Sequence, residues 1–259
     1  MDLENGYLRV RLARTEADLR AAERLRYEVF IEELGGDGPL VDHAGRFERD
    51  AFDPFYDHLV LVDTRKSELE LNHVVGVYRL LTGARALENG AFYSQGEYDL
   101  APLTSSGRSL LELGRSRVAM DHRGSLALHL LWAGLAQYVR TREVEILFGV
   151  ASLHGTDVEA LALPLSHLHH AFLAPPELRV RAIETSYQRM DLIPRDKIDR
   201  VAAMRAVPPL IKSYLRLGGF VGDGAFVDHA FNTTDVCLVM DTTRMNAKAT
   251  SRFTSGALS

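Results

Sequence analysis

The segment spanning residues 110–152 constrains the fold more than any other part of the chain. Residues 110–120 read as an extended, apolar-rich strand and residues 121–125 as a tight polar turn. Residues 126–141 then form a helix that is apolar nearly all round, and residues 145–152 a second apolar strand. A helix without a polar face has to lie against a sheet. Strand, turn, buried helix and strand at this spacing make a βαβ unit, which predicts parallel pairing of the two strands and a right-handed crossover. An α/β fold follows.

The flanking segments add elements to that unit. Residues 7–13 alternate apolar and polar side chains, as a half-buried strand does, and Thr15 with Asp18 three residues on predicts a capped helix. Leu19, Ala22, Leu25, Val29 and Phe30 supply that helix with an apolar stripe. Residues 34–55 carry repeated Gly and Asp and read as a long loop, of the kind that is functional or disordered. Strands are expected at 58–63 and 74–81, and residues 93–100 read as a short strand or an extended connection. Asp157 is expected to cap a helix running to Phe172, ended by Pro175-Pro176. Pro208-Pro209 open a helix through Leu217 that Gly218-Gly219 close, and 220–228 and 235–241 read as paired strands. The expected organisation is one domain over 1–241 with a helical insertion at about 153–206, followed by a mobile tail at 242–259 rich in Ser, Thr and Ala.

Bulk properties exclude several classes. A chain of 259 residues buries roughly 70–75% of its unfolded surface, enough for one large α/β domain or two small ones. A net charge of −5 argues against nucleic acid, which needs a concentrated basic field. Cys237 is the only cysteine, so an internal disulfide and a cysteine metal cluster are ruled out. His167, His169 and His170 do not share one helix face and no carboxylate completes a set, so no metal is expected. Met1-Asp2-Leu3-Glu4-Asn5-Gly6 lacks the basic start of a signal peptide, and the longest apolar segment, 126–139, contains His129 and Gln137 and is too short to span a bilayer. A cytoplasmic location is expected.

The turn Asp121-His122-Arg123-Gly124-Ser125-Leu126-Ala127 feeds a helix N-terminus, whose free amides favour an anion. The order of elements from Leu110 to Asp241 resembles the GNAT acyltransferase core, a mixed, mostly antiparallel central sheet with helices on both faces. In that fold this turn holds the pantetheine or pyrophosphate of the acyl donor, which implies donor contacts at Val118, Arg123, Gly124, Ser125 and Leu126. The segment departs from the usual Arg-Gly-x-Gly-x-Gly/Ala pattern by carrying Ser and Leu where small residues are common.

A second resemblance covers nearly the whole chain. Leu25-Arg26-Tyr27-Glu28-Val29-Phe30, Asp50-Ala51-Phe52-Asp53, Gly76-Val77-Tyr78-Arg79-Leu80-Leu81 and Glu112-Leu113-Gly114-Arg115-Ser116 occur in this order. They resemble the charged framework shared by acyl-homoserine-lactone synthases and bacterial ornithine N-acyltransferases. Leu131-Trp132-Ala133-Gly134-Leu135, Leu147-Phe148-Gly149-Val150-Ala151-Ser152, the run from Pro208 to Gly218 and Phe231-Asn232-Thr233-Thr234-Asp235-Val236 are similar to the second group. The resemblance implies transfer of a 3-hydroxyacyl group from the 4'-phosphopantetheine thioester of acyl carrier protein to the α-amine of ornithine, with no permanently bound cofactor. The product would be lyso-ornithine lipid.

Such a transfer needs a deprotonated amine, and no Ser or Cys nucleophile with a base is evident, so direct amine attack is the simpler route. Glu112, opposite Leu111 and Leu113 by strand alternation, is the candidate base. Arg79, set among Val77, Tyr78, Leu80 and Leu81, needs an anionic partner if buried. Arg115 faces away from Glu112 on a regular strand unless a bulge at Gly114 re-aims it. Arg26, Arg79 and Arg115 are expected to form an ion-pair network with Asp50 and Asp53 that shapes the amino-acid pocket and orders the loop. Asp50 and Asp53 could also meet the second ammonium of ornithine. Tyr214, four residues before Gly218, resembles the GNAT tyrosine that protonates the leaving thiol. Phe30, Trp132 and Phe148 are candidates for an acyl channel. A solvent-facing edge Glu and a packed helix Tyr are the plain alternatives for Glu112 and Tyr214.

Rival readings are the same chemistry on glutamine or another amino acid, an acetyl-CoA-dependent GNAT, and an acyl-homoserine-lactone synthase using S-adenosylmethionine. A non-catalytic membrane-binding protein is the reading from another class. The apolar segment 161–173 and a lipid-like product make peripheral contact with the inner membrane compatible with either kind of protein.

Overall fold

The runs His58-Leu59-Val60-Leu61-Val62 and Val74-Val75-Gly76-Val77-Tyr78 are apolar at nearly every position, which suits strands covered on both faces. In the computed structural model, which describes residues 2–245 and Ser251, both are such strands. The chain begins with β1 (Asp2–Asn5), β2 (Leu8–Leu12) and α1 (Glu16–Arg26), which passes directly into a π-helical turn (Tyr27–Glu33). It continues as β3 (Asp57–Asp63), β4 (Val74–Thr82), α2 (Gly83–Asn89), β5 (Tyr98–Asp99), α3 (Ala101–Thr104) and β6 (Leu110–Val118). Next come α4 (Ser125–Thr141), β7 (Ile146–His154), α5 (Ala162–Phe172), β8 (Arg181–Ala182) and β9 (Tyr187–Gln188). The described chain ends with α6 (Arg200–Ala206), α7 (Pro209–Arg216), β10 (Phe220–Val221), β11 (Ala225–Asp228) and β12 (Thr233–Asp241).

These elements gather into two compact units, one of residues 2–90 and 113–144, the other of 91–112 and 145–245. In the first, β1, β2, β3 and β4 pair antiparallel in sequence order and β6 follows β4. Two helices cover opposite faces of this sheet. Val60, Val62 and Val77 share a buried cluster with Ala21, Ala22 and Leu25 of α1. The alternate residues meet α4: a Cβ added at Gly76 would lie 3.0 Å from Leu131 Cδ1, and one at Gly134 would lie 3.3 Å from Leu59 Cδ1. Since successive strand residues point to opposite faces, α1 and α4 lie on either side. Thr15 and Asp18 form the expected capping box at the start of α1.

In the second unit the expected parallel pairing is present, with Leu110, Leu111 and Glu112 of β6 opposite Ile146, Leu147 and Phe148 of β7. β12 pairs antiparallel with β7 along its full length, from Thr233 opposite His154 to Asp241 opposite Ile146. β10 and β11 pair with β12, and β9 pairs with β11. Both expected helices around 153–217 exist, but α5 begins at Ala162 rather than after Asp157, whose carboxylate caps only a turn through the amides of Glu159 and Ala160. Pro164 is the reason: a helix started at Asp157 would place it in the interior, whereas in α5 it sits in the first turn, where its missing N–H costs nothing. Residues 93–100 hold a 3₁₀ turn (Tyr93–Gly96) and the short β5. α2 was not expected, although Thr82 caps it and Gly90, at φ +91°, ends it. Of the expected tail, Thr242–Arg244 form one helical turn and Arg244 pairs with Glu177 at 2.8 Å; the remainder, Met245 and Ser251 apart, lies outside the described residues.

Candidate active site

The first unit buries a six-membered charge network. Arg26, at the last position of α1, is wholly buried and reaches into the loop that follows the π-helical turn. Its Nε donates to Glu48 Oε2 at 2.6 Å, while Nη1 and Nη2 donate to the two oxygens of Asp53, each at 2.7 Å. Arg79, also fully buried on β4, donates through Nη1 to Asp50 at 2.8 Å and Asp53 at 2.9 Å, with its guanidinium 4.3 Å from the Tyr56 ring centroid. Arg115 completes the set by donating to Glu48 Oε1 at 3.1 Å and Asp50 Oδ2 at 3.3 Å. The structure thus brings together the five residues expected in the network. It adds Glu48, an acid of the same long loop that sequence reasoning passed over.

The approach of Arg115 depends on one backbone angle. Its φ is +49°, a left-handed conformation that costs an L-residue roughly 1–2 kcal/mol. The expected irregularity therefore falls on Arg115 itself rather than on Gly114, and it re-aims the side chain toward the loop carboxylates. Phe30 lies beneath two guanidiniums, its ring centroid 5.4 Å from that of Arg115 and 4.5 Å from that of Arg117.

The electrostatics follow from burial against pairing. Burial raises the Asp53 carboxyl, but Arg26 and Arg79 outweigh it and hold the group well below the usual carboxylate range. For Glu48, burial is likewise outweighed by Arg26 and Arg115, and the carboxyl is held down. Burial and neighbouring Arg115 act to lower Arg79, yet Asp50 and Asp53 leave it raised. His58, whose Nε2 donates to the Asp53 carbonyl at 3.2 Å, is brought down to about 4 by burial and by Arg26. Asp50 and Asp53 both point into arginines, so neither is poised in this arrangement for a substrate ammonium.

The turn expected to hold the donor lies in the same unit. Met120–His122 form a 3₁₀ turn in which His122 sits between Asp121 Oδ1 (2.7 Å) and Asp63 Oδ2 (3.0 Å), anchoring the turn to the end of β3. Arg123 donates to the Val118 carbonyl at 3.1 Å and pairs with Glu33. Gly124 stands at the N-cap of α4 and supplies no side-chain cap. Leu126 is exposed in that first turn. A cavity of about 510 Å³ lies along α1 and the ends of β4 and β6, lined by Leu25, Val29, Val74, Val75, Ala119 and Met120 among others. No network arginine or carboxylate lines it.

In the second unit, Glu112 is 1% exposed and accepts from the Tyr93 amide at 2.8 Å, the Ser94 amide at 2.6 Å and the Ser94 hydroxyl at 2.5 Å. The carboxylate is therefore buried and held by hydrogen bonds, and it is not a solvent-facing edge residue. Ser94 carried no sequence signal, because it sits in an irregular 3₁₀ turn far along the chain. Phe148 packs edge-on against Phe92 with centroids 5.0 Å apart, and in the first unit Trp132 is fully buried. Tyr214 is buried on α7, and its carbonyl accepts the amides of Leu217 and Gly219. Among the described residues no group of three or more His, Cys, Asp or Glu is placed to hold a metal ion, and no helix is long and apolar enough to cross a membrane.

Comparison with known proteins gives the architecture a family. Residues 25–133 match the acetyltransferase (GNAT) domain model. An L-ornithine N(alpha)-acyltransferase of Rhodobacter capsulatus is 61% identical over 239 residues, 92% of each chain. The Brucella abortus protein of the same name is 41% identical over 94% of this chain and 87% of its own. Among solved structures, the AHL synthase LasI superposes with a TM-score of 0.51 at 15% identity, over 97% of this chain and 96% of that one, a likeness of fold. The expected GNAT fold stands, and the chain is an acyltransferase belonging to the L-ornithine N(alpha)-acyltransferase family.

Proposed function

We propose that the protein transfers a 3-hydroxyacyl group from the 4'-phosphopantetheine thioester of acyl carrier protein to the α-amine of ornithine, producing lyso-ornithine lipid. The amine attacks the thioester carbonyl directly: a C–N bond forms, the C–S bond breaks, and the phosphopantetheine thiol leaves. The proton lost by the amine goes to the Glu112 carboxylate, which the Tyr93 and Ser94 donors hold in place. The leaving thiolate takes a proton from Tyr214, the role its GNAT-like position implies. The Arg26, Arg79 and Arg115 network braces the loop that carries Glu48, Asp50 and Asp53, which this reading assigns to the amino acid, and the N-terminus of α4 after Gly124 is assigned to the pantetheine arm. We place the reaction in the cytoplasm, with the enzyme peripheral to the inner membrane that receives the product.

One observation carries the choice of ornithine: 61% identity, over 92% of each chain, with a relative named for that substrate. The test is purified protein incubated with 3-hydroxyacyl carrier protein and, separately, ornithine, glutamine or lysine, with products read by mass spectrometry. Acyl-ornithine should dominate. Acyl-glutamine formed in preference would replace the acceptor, and turnover of acetyl-CoA but not the carrier-protein thioester would replace the donor.

A further inference from the structure

The charge network is balanced, three arginines against Glu48, Asp50 and Asp53. Arg117, two residues beyond Arg115 on β6, falls outside that balance. Its Nη1 donates to the Ser116 carbonyl at 3.2 Å, while its Nε is buried and has no hydrogen-bond partner among the described residues. Among the described residues no carboxylate lies within ion-pairing distance of it, and nearby Glu33 is engaged by Arg123. Burial, then Arg115, then Arg123 bring the Arg117 guanidinium down to about 10, against the weaker opposing pull of Tyr78 and Glu33. A largely buried cation with an unused donor is unfavourable, and an incoming anion would relieve it. With Nη1 occupied, the Nε–Nη2 edge remains, and that edge matches the two oxygens of a carboxylate or phosphate.

We propose that Arg117 is a binding residue for a substrate oxyanion, held side-on by Nε and Nη2 above the Phe30 ring. The identity of the anion rests on the reaction proposed above, which supplies two sources: the α-carboxylate of the acceptor amino acid and the phosphate of the donor's phosphopantetheine. The network carboxylates are committed to arginines, so either anion meets a site of net positive charge.

The first test is independent of that reaction. In the ¹⁵N-labelled full chain, the Arg117 Nε–H resonance, identified by its loss in Arg117→Lys, should shift saturably on titration with acetate or inorganic phosphate. Absence of a shift with both ions overturns the proposal. Kinetics then separate the sources, using Arg117→Met and Arg117→Lys with melting temperatures checked against the unsubstituted protein. If the acceptor's carboxylate binds here, the unsubstituted protein should prefer ornithine to ornithinamide by about 10- to 100-fold in kcat/KM, and Arg117→Met should erase that preference. If the donor phosphate binds here, the preference survives and KM for the acyl carrier protein rises by about the same factor. A folded Arg117→Met with both constants unchanged refutes the site. Lack of turnover of ornithine by the unsubstituted protein would instead refute the proposed reaction, leaving the titration to decide the anion site.

Discussion

Replacing Asp53 by asparagine keeps the shape of the network and removes one charge from its centre. Asp53 accepts two hydrogen bonds from Arg26, one from Arg79 and one from the Asp50 amide, all between 2.7 and 2.9 Å. In Asp53→Asn one carboxylate oxygen becomes an NH₂ that faces guanidinium donors, and two cations buried to within 1% lose their shared counter-charge. Breaking a buried pair by removing one partner costs about 3–5 kcal/mol. Asp50 offers an internal comparison. Its side chain is 20% exposed, it faces Arg115 at a longer 3.3 Å, and Arg79 keeps Asp53 when Asp50 is changed. Asp50→Asn should therefore cost only about 1–2 kcal/mol. Against a typical total of roughly 5–15 kcal/mol, the first change is severe and the second moderate. In urea, with m near 2–3 kcal/mol/M, the unfolding midpoint should fall by about 1–2 M for Asp53→Asn and by less than about 1 M for Asp50→Asn. The double variant Arg26→Gln/Asp53→Asn should cost less than the sum of its parts, since each single change already strands the other charge. Equal midpoints for the two aspartate variants, or strict additivity in the cycle, would refute the reasoning.

Further expectations concern pH, catalysis and docking. His58 titrates near 6.5 when unfolded but only near 4 when folded, so between those values the unfolded chain binds the extra proton and stability falls as pH drops, by about 3 kcal/mol in all. His58→Gln should flatten that window; an unchanged slope of stability against pH from 6.5 to 4 in the variant contradicts the assignment. Glu112→Gln should lower kcat by about 10²- to 10⁴-fold with folding retained, measured as initial acyl-ornithine formation; near-normal turnover removes Glu112 as the base. Reversing Arg123, Arg140 or Arg142 to Glu should raise KM for the acyl carrier protein more than it lowers kcat. An unchanged KM in all three would discard this docking face.

The elements legible from sequence are those whose burial is periodic. The apolar helix from Leu126 to Thr141 and its flanking strands announce a βαβ unit because a helix with no polar face has only one environment open to it. Thr15 and Asp18 announce a helix start through a purely local pair of hydrogen bonds. At α5 two local signals conflict: Asp157 can cap a helix, but Pro164 cannot sit in a helix interior and so sets the start at Ala162. Arg26, Arg79, Arg115, Asp50 and Asp53 stood out through family resemblance rather than physics; spacing alone does not say which arginine meets which acid.

By itself, then, the amino-acid sequence determined the residue types of the site, the order of the elements and the parallel crossover, because these depend on side-chain chemistry and on periods of two and 3.6 along the chain. Tertiary structure alone decided that Glu48 joins the network, that Ser94 holds Glu112 and that the Arg117 Nε is left without a hydrogen-bond partner among the described residues. It also decided that Arg115 turns toward the loop, through a left-handed φ that no local preference of arginine favours and that its buried partners must hold in place. Such pairings join residues far apart in sequence, and only the packed chain sets the distances between them.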